Sequence, residues 1–233
     1  MISEQEIVDK IVYEIHTCKY GTNEKLPSEN EMADSLGVPR ITVRKAYKRL
    51  QEMDYIYARQ GIGSFVKDRF KQIKLVLSGD VSFSKKMKDM GVNLVTKNIF
   101  CTEIDYNKNI YEFLGVEKGV RVFKIGRLRF IDQKPMALHI SYVADSVFYN
   151  IAEDGKSITS MFEYYRSQGY GRFDSTTSTL SVQFPSPYER RILKCPNLIP
   201  LLVLESGCID RETGRVLEQS RIVYRSDCFT YLV

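Results

Sequence analysis

The stretch Leu26-Pro27-Ser28-Glu29-Asn30-Glu31-Met32-Ala33-Asp34-Ser35-Leu36-Gly37-Val38-Pro39-Arg40-Ile41-Thr42-Val43-Arg44-Lys45-Ala46 decides the reading of the chain. Ser28 and Glu31 have the spacing of a capping box, in which each side chain satisfies an orphan backbone N–H at a helix start. The short helix they open carries Met32, Ala33 and Leu36 on its inner face. Gly37 suits the left-handed residue just past its end. After Val38-Pro39 another helix opens at Arg40, with Val43, Ala46, Tyr47 and Leu50 as its buried stripe. Two helices joined by a short turn containing glycine make a helix-turn-helix, whose second helix enters the major groove with its first residues. Here those residues are Arg40, Thr42, Arg44 and Lys45. The guanidinium fork matches guanine O6 and N7, and lysine neutralises phosphate.

The flanks extend this unit in both directions. Upstream, Ile7, Val8, Ile11, Val12 and Ile15 recur at helical spacing, and Gly21 follows. Downstream, Tyr55–Ala58 and Ser64–Val66 read as two strands around Arg59-Gln60-Gly61-Ile62-Gly63, a hairpin with a glycine-rich basic tip. Such a tip can reach a minor groove, where arginine is favoured. Charge changes sign along the same stretch. Residues 1–39 hold eight acids against three lysines, and residues 40–69 hold eight Lys/Arg against three acids. A basic run alone is more often a solvated face than a footprint for phosphates. Its start at the recognition helix favours the footprint.

Leu26 to Ala46, followed by Arg59-Gln-Gly-Ile-Gly-Ser-Phe-Val66, resembles the winged helix-turn-helix of GntR-family bacterial transcription regulators over about residues 5–67. The resemblance implies DNA contacts from Ser28, Arg40, Thr42, Arg44 and Lys45, and from Arg59, Gln60 and Gly61 of the wing. Pro39 departs from it, because a serine is commoner there and can cap the third helix.

Composition bounds the rest. The 233 residues are 43% apolar and 27% charged, with net charge +5, which is ordinary globular composition. A disordered chain would lack these aromatics and branched aliphatics. No apolar run is long enough to span a membrane, and the acidic first twenty residues do not read as a leader. Five scattered cysteines without C-x-x-C spacing fit a reducing cytoplasm. With only His16 and His139 besides, neither a metal site nor a cofactor is expected, and no catalytic residue stands out.

Beyond residue 78, strand patterns fall at about 94–104, 121–132, 136–144, 173–183, 201–211 and 216–226, with helix patterns at 84–90, 107–114, 158–168 and 186–194. Asp132–Pro135 and Glu212–Arg215 are tight-turn sequences between strands. Strands following one another through turns predict an α+β domain with an antiparallel sheet. In Arg121–Ile131, Phe123, Ile125, Arg127 and Arg129 share one face. If that face is covered, two adjacent guanidiniums need an anion, either a protein carboxylate or a ligand phosphate or carboxylate. Ser82 or Ser84 reads as a helix cap, and His139 read alone is a strand histidine.

Ser82-Phe-Ser-Lys-Lys-Met, Arg127-Leu-Arg129, Lys134–Val143 and Tyr224-Arg-Ser-Asp227 resemble the UTRA effector domain of the HutC subfamily, similar in fold to chorismate lyase. The resemblance implies a phosphate site at Ser82, Phe83, Ser84, Arg127, Arg129 and Ser160, and hydroxyl-binding positions at His139, Glu218 and Tyr224. His139 stands where glutamate is usual, and Phe162 where some relatives have tyrosine. The expectation is a winged helix-turn-helix over 1–69, a linker over 70–78 and an effector-binding and dimerisation domain over 79–233. Such a protein would be a cytoplasmic, homodimeric repressor on a palindromic double-stranded DNA operator. A small anionic metabolite such as a phosphorylated sugar would release it, with no membrane partner. The competing readings are an enzyme of lyase-like fold, or a regulator whose second domain only dimerises.

Overall fold

The computed structural model describes residues 2–68, 73–76 and 81–232. The N-terminal unit is built from α1 (Glu4–His16), α2 (Glu29–Leu36), α3 (Arg40–Glu52) and the hairpin β1 (Ile56–Arg59) and β2 (Gly63–Val66). Capping boxes at Ser3–Glu6 and Ser28–Glu31 start the first two helices. Gly37 ends α2 in the left-handed conformation, at φ 64°. Pro39 gives α3 no side-chain cap, because proline has no hydroxyl to accept from the orphan N–H groups. Ile7, Val8, Ile11, Val43, Ala46, Leu50 and Ile56 are buried together in one core.

The second unit is a mixed layer structure around one antiparallel sheet. Its elements are β3 (Ile73–Val76), α4 (Phe83–Asp89), β4 (Leu94–Glu103), α5 (Lys108–Leu114), β5 (Val122–Ile131), β6 (Lys134–Ala144), α6 (Ile151–Asp154), α7 (Met161–Ser167), β7 (Phe173–Ser175), β8 (Thr179–Gln183), α8 (Pro187–Leu193), β9 (Leu201–Asp210), β10 (Val216–Arg225) and β11 (Phe229–Leu232). The sheet order is β4-β5-β6-β10-β9-β7, with β8 also on β9. Strand alternation sorts its two faces. Phe123 and Ile125 pack with Phe148, Ile151 and Tyr165 of the α6–α7 layer. Leu128, Leu138, Val203 and Val223 pack with Leu193 of α8 on the opposite side. The turn Asp132-Gln133 has φ of 48° and 64°, the backbone of a tight hairpin.

Three features differ from the expectation. Ile73–Val76, within the segment read as a linker, forms a parallel pair with β11, partners too distant in sequence to leave a local signal. The other residues of that segment lie outside the described ones. The strand expected at 173–183 is two, β7 and β8, laid along β9 one after the other. Between them Gly207 N donates to Thr176 Oγ1 at 2.8 Å. A Cβ on Gly207 would lie 2.4 Å from the Phe113 ring, so glycine lets that ring approach the bend. The helix expected over 158–168 begins at Met161, and the short α6 precedes it without having been expected.

One contact holds the α6–α7 connection over the sheet. Asn98 of β4 donates through Nδ2 to Gly155 O at 2.7 Å and to Ile158 O at 2.9 Å. Asn98→Ala removes the donor and strands two buried carbonyls, a loss of about 1–3 kcal/mol. Denaturant unfolding of the variant should show that loss in the midpoint.

Candidate functional site

Two surfaces collect the residues singled out in the sequence. On the first, the buried stripe of α3 turns Arg40, Arg44, Lys45 and Lys48 outward, with Thr42 half-buried beside them. Tyr47 donates to Pro27 O at 2.6 Å and fixes α3 against the segment that leads into α2. Burial raises the Tyr47 phenol far above its ordinary range, so it stays a donor. Ser28 caps α2, its Oγ accepting from Glu31 N at 3.2 Å. Arg40 is engaged within the protein: its Nε and Nη2 lie 3.0 and 2.9 Å from Glu29 Oε2, which ties the start of α3 to the start of α2. Ile41, missed in the sequence because it lies off the buried stripe, is 56% exposed on the same face.

The wing tip is Gln60-Gly61-Ile62, all exposed, with Arg59 paired to Gly63 across the hairpin. Gly61 has φ 72°, in the left-handed region glycine enters without strain. The Arg59 guanidinium lies 4.8 Å over the Phe65 ring and donates to Tyr57 Oη at 3.2 Å. The aromatic pair thus holds that charge beside the tip.

The second surface is internal. Ser82, Phe83, Ser84, Arg127, Arg129, His139, Ser160, Glu218 and Tyr224 all line one cavity of about 180 Å³. Sheet register brings them together. Arg127 lies opposite His139, Arg129 opposite Ala137, and His139 opposite Ile222 of β10. Glu218, Ser220, Ile222 and Tyr224 alternate along β10 onto the same face. Ser82 caps α4 by accepting from Lys85 N, and Ser160 caps α7 by accepting from Glu163 N.

The electrostatics of this cavity are unbalanced. Arg127 and Arg129 are 4% and 3% exposed. Arg127 Nη2 donates to Ser141 Oγ. Arg129 Nη1 donates to Thr96 Oγ1, to Thr159 O at 3.1 Å and to Ser84 Oγ at 3.4 Å. The Nε of each arginine is buried without a partner. Among the described residues, neither guanidinium has a carboxylate within 4 Å. A protein carboxylate as the direct partner of the pair, one of the two possibilities left by the sequence, is therefore not what the fold provides. Burial, and next the Arg127 charge, push Arg129 down to about 9. Burial also lowers Arg127, against the opposing pull of Glu218. His139 is held neutral, well below 6.5, by burial and by the charges of Arg129 and Arg127.

Glu218 accepts from Ser141 Oγ at 3.1 Å and from the Tyr165 hydroxyl. Burial and the Glu218 charge raise the Tyr165 phenol well above its usual value, so it donates. The supporting residues Thr96, Ser141, Thr159 and Tyr165 were not visible in the sequence. Ser220 was not named there either, although its alternation with Glu218 and Tyr224 along one strand is a signal that could have found it. Phe162 also lines the cavity. Among the described residues, no cluster of three metal-ligating side chains occurs and no helix is long and apolar enough to cross a membrane.

A winged helix-turn-helix with a basic outer face, joined to a domain enclosing a cavity, defines the class of two-unit DNA-binding regulators. The UTRA domain family matches residues 89–230, and the family described as bacterial regulatory proteins, gntR family, matches residues 3–66. The chain is a GntR-family transcription regulator with a UTRA domain, the HutC-like arrangement. It is similar to the HTH-type transcriptional repressor NagR of Bacillus subtilis, 27% identical over 97% of this chain and 92% of that protein. It is also similar to the mannosyl-D-glycerate transport/metabolism system repressor MngR of Escherichia coli, 24% identical over 97% and 93%. The crystal structure of PhnF from Mycobacterium smegmatis shares the fold, with a TM-score of 0.62, 21% identity, and 99% and 97% of the two chains covered.

A buried charge without a counter-ion costs stability, and an apolar side chain of similar volume relieves it. Arg129→Met should therefore be more stable than the parent by about 1–3 kcal/mol in ligand-free buffer. Urea unfolding of the two proteins measures the difference.

Proposed function

We propose that this regulator is a homodimeric repressor that binds a palindromic operator and is released by a phosphorylated sugar. The observation that carries the effector half is the pair of buried guanidiniums, Arg127 and Arg129, with no carboxylate within 4 Å of either among the described residues. A phosphate offers several acceptor oxygens and about two charges, and arginine forks hold such groups bidentately. The phosphate is assigned to Arg127 and Arg129 with the hydroxyls of Ser82, Ser84 and Ser160. His139, Glu218 and Tyr224 line the same cavity and would meet the sugar, with the Phe83 ring beside them. The cavity measures about 180 Å³, several times the ~30 Å³ share of one water molecule, so it can admit a small organic anion. A relative named for a mannosyl-D-glycerate system supports a carbohydrate-derived effector. A second unit used only for dimerisation would leave both arginines uncompensated.

The DNA-binding unit is assigned to residues 1–69 and the effector unit to 79–233. Arg44 and Lys45 of α3, helped by Thr42 and by Arg59, Gln60 and Gly61 of the wing, make the contacts, while Arg40 holds the helix pair in shape. Dimerisation is supported by the edge strand β8, where Leu180, Val182 and the following Phe184 expose one apolar stripe. All five cysteines are unpaired, which suits a reducing cytoplasm. Effector binding weakens DNA binding by favouring an arrangement of the two heads that no longer matches half-sites one helical turn apart.

Two measurements test this reading. In DNA titrations at several salt concentrations, Arg44→Ala should lose about 1–3 kcal/mol on the operator and relax specificity. Lys45→Ala should weaken all duplexes alike and reduce the salt slope by about one. Unchanged binding by both variants would overturn the recognition-helix assignment. In a thermal-shift screen, the right sugar phosphate at 100 times its Kd should stabilise the protein by about 2.7 kcal/mol. Arg129→Met should lose that response and keep operator binding. A full response in the variant would make the arginines structural.

A further inference from the structure

The cavity holds more information than its affinity for an anion. Glu218 is the single carboxylate among its described lining residues, and both of its oxygens already accept, from Ser141 and from Tyr165. The remaining polar lining is rich in donors: two guanidiniums, Lys86 and seven serine hydroxyls. His139 sits in the middle of this set. It is 3% exposed, directly opposite Arg127 in the β5–β6 register, and its Nε2 has no partner. Its ring is clamped edge-on by Phe83 at 4.8 Å and Tyr224 at 5.7 Å, so it cannot swing away from the cavity without losing both contacts.

We propose that His139 sets the class of effector: the cavity takes a phosphorylated sugar whose other polar groups are uncharged oxygens, and rejects one that carries an ammonium. The proposal rests on the phosphate reading above. An ammonium is donor-only and seeks a carboxylate. Among the described lining residues the one carboxylate already accepts from two hydroxyls and offsets the Arg127 charge, and the space beside it is shared by two guanidinium cations and an uncharged imidazole. A like charge placed there is repelled in a medium that screens poorly. A hydroxyl or carbonyl oxygen instead accepts from the guanidinium N–H groups or exchanges a hydrogen bond with the imidazole. Discrimination of this kind comes from the unfavourable placement of the wrong ligand as much as from contacts with the right one.

The test is calorimetric titration of the full-length protein with inorganic phosphate, glucose 6-phosphate and glucosamine 6-phosphate near neutral pH. The two sugar phosphates differ at one carbon, hydroxyl against ammonium. The expected result is glucose 6-phosphate binding at least tenfold more tightly than glucosamine 6-phosphate. His139→Gln, still uncharged, should keep that ratio. His139→Glu adds a carboxylate beside the arginines and should reduce the ratio at least tenfold, whatever it does to phosphate affinity itself. Equal or tighter binding of the amino sugar by the wild type overturns the proposal and leaves the phosphate reading standing. An unchanged ratio in a folded His139→Glu protein removes the role of His139. If inorganic phosphate and both sugar phosphates all fail to bind, the phosphate reading itself is overturned, and this proposal with it. If the Glu variant does not fold, the wild-type and His139→Gln ratios decide.

Discussion

Two guanidiniums lie side by side on the covered face of one strand, and the architecture of the second unit follows from holding them there. Side chains two residues apart on a strand stand about 7 Å apart on the same face, so the strand period makes Arg127 and Arg129 neighbours. The α6–α7 layer then covers that face and removes them from water. Buried cations in this position are tolerable only with donors' needs met and an anion within reach. The fold meets part of the need with neutral oxygens, from Ser141 for one arginine and from Thr96, Thr159 and Ser84 for the other. The one carboxylate among the described cavity residues, Glu218, is bonded to Ser141 and Tyr165 instead. What would be a stability defect in a purely structural domain would, on the function proposed above, be the working part of a sensor, since a ligand anion would recover the deficit on binding.

The same interaction decides how the cavity is walled. Residues bonding Arg129 come from α4, β4 and the connection before α7, so an anion at that arginine touches elements from three parts of the chain. Asn98 anchors that connection to β4. Ordering these elements together is a route by which occupancy of the cavity can alter the unit's surface. The DNA-binding unit has its own core and is pinned internally by Tyr47 on Pro27 and by Arg40 on Glu29. On the function proposed above, an effector would change the placement of this head rather than its internal packing.

Much of the helix-turn-helix was legible because its determinants are local. The Ser28–Glu31 box, Gly37 and the 3.6-residue stripe of α3 each act within a few residues, and they appear in the structure as the sequence implied. Arg40 adds a tie that no local pattern shows: Glu29, eleven residues earlier, holds its exposed guanidinium in an ion pair. In the second unit, hairpin turns and long alternating strands were also legible. The pairing of β3 with β11, the break between β7 and β8, and helix α6 were not, because distant partners or a ring pressed on Gly207 create them.

The sequence by itself determined the class of protein, the outward basic face of α3 and the fact that Arg127 and Arg129 share one side of a strand. Side-chain period and capping chemistry are enough for that, since both are properties of neighbouring residues. It left open whether a carboxylate of the protein or an anion from outside completes the arginine pair. Whether Glu218 reaches the pair depended on where it falls, 91 and 89 residues further along the chain. Only the register of β10 on β6, with Tyr165 and Ser141 turned toward Glu218, places the carboxylate near the arginines yet commits it elsewhere. Strand register is set by the packing of the whole sheet, and no local pattern encodes it.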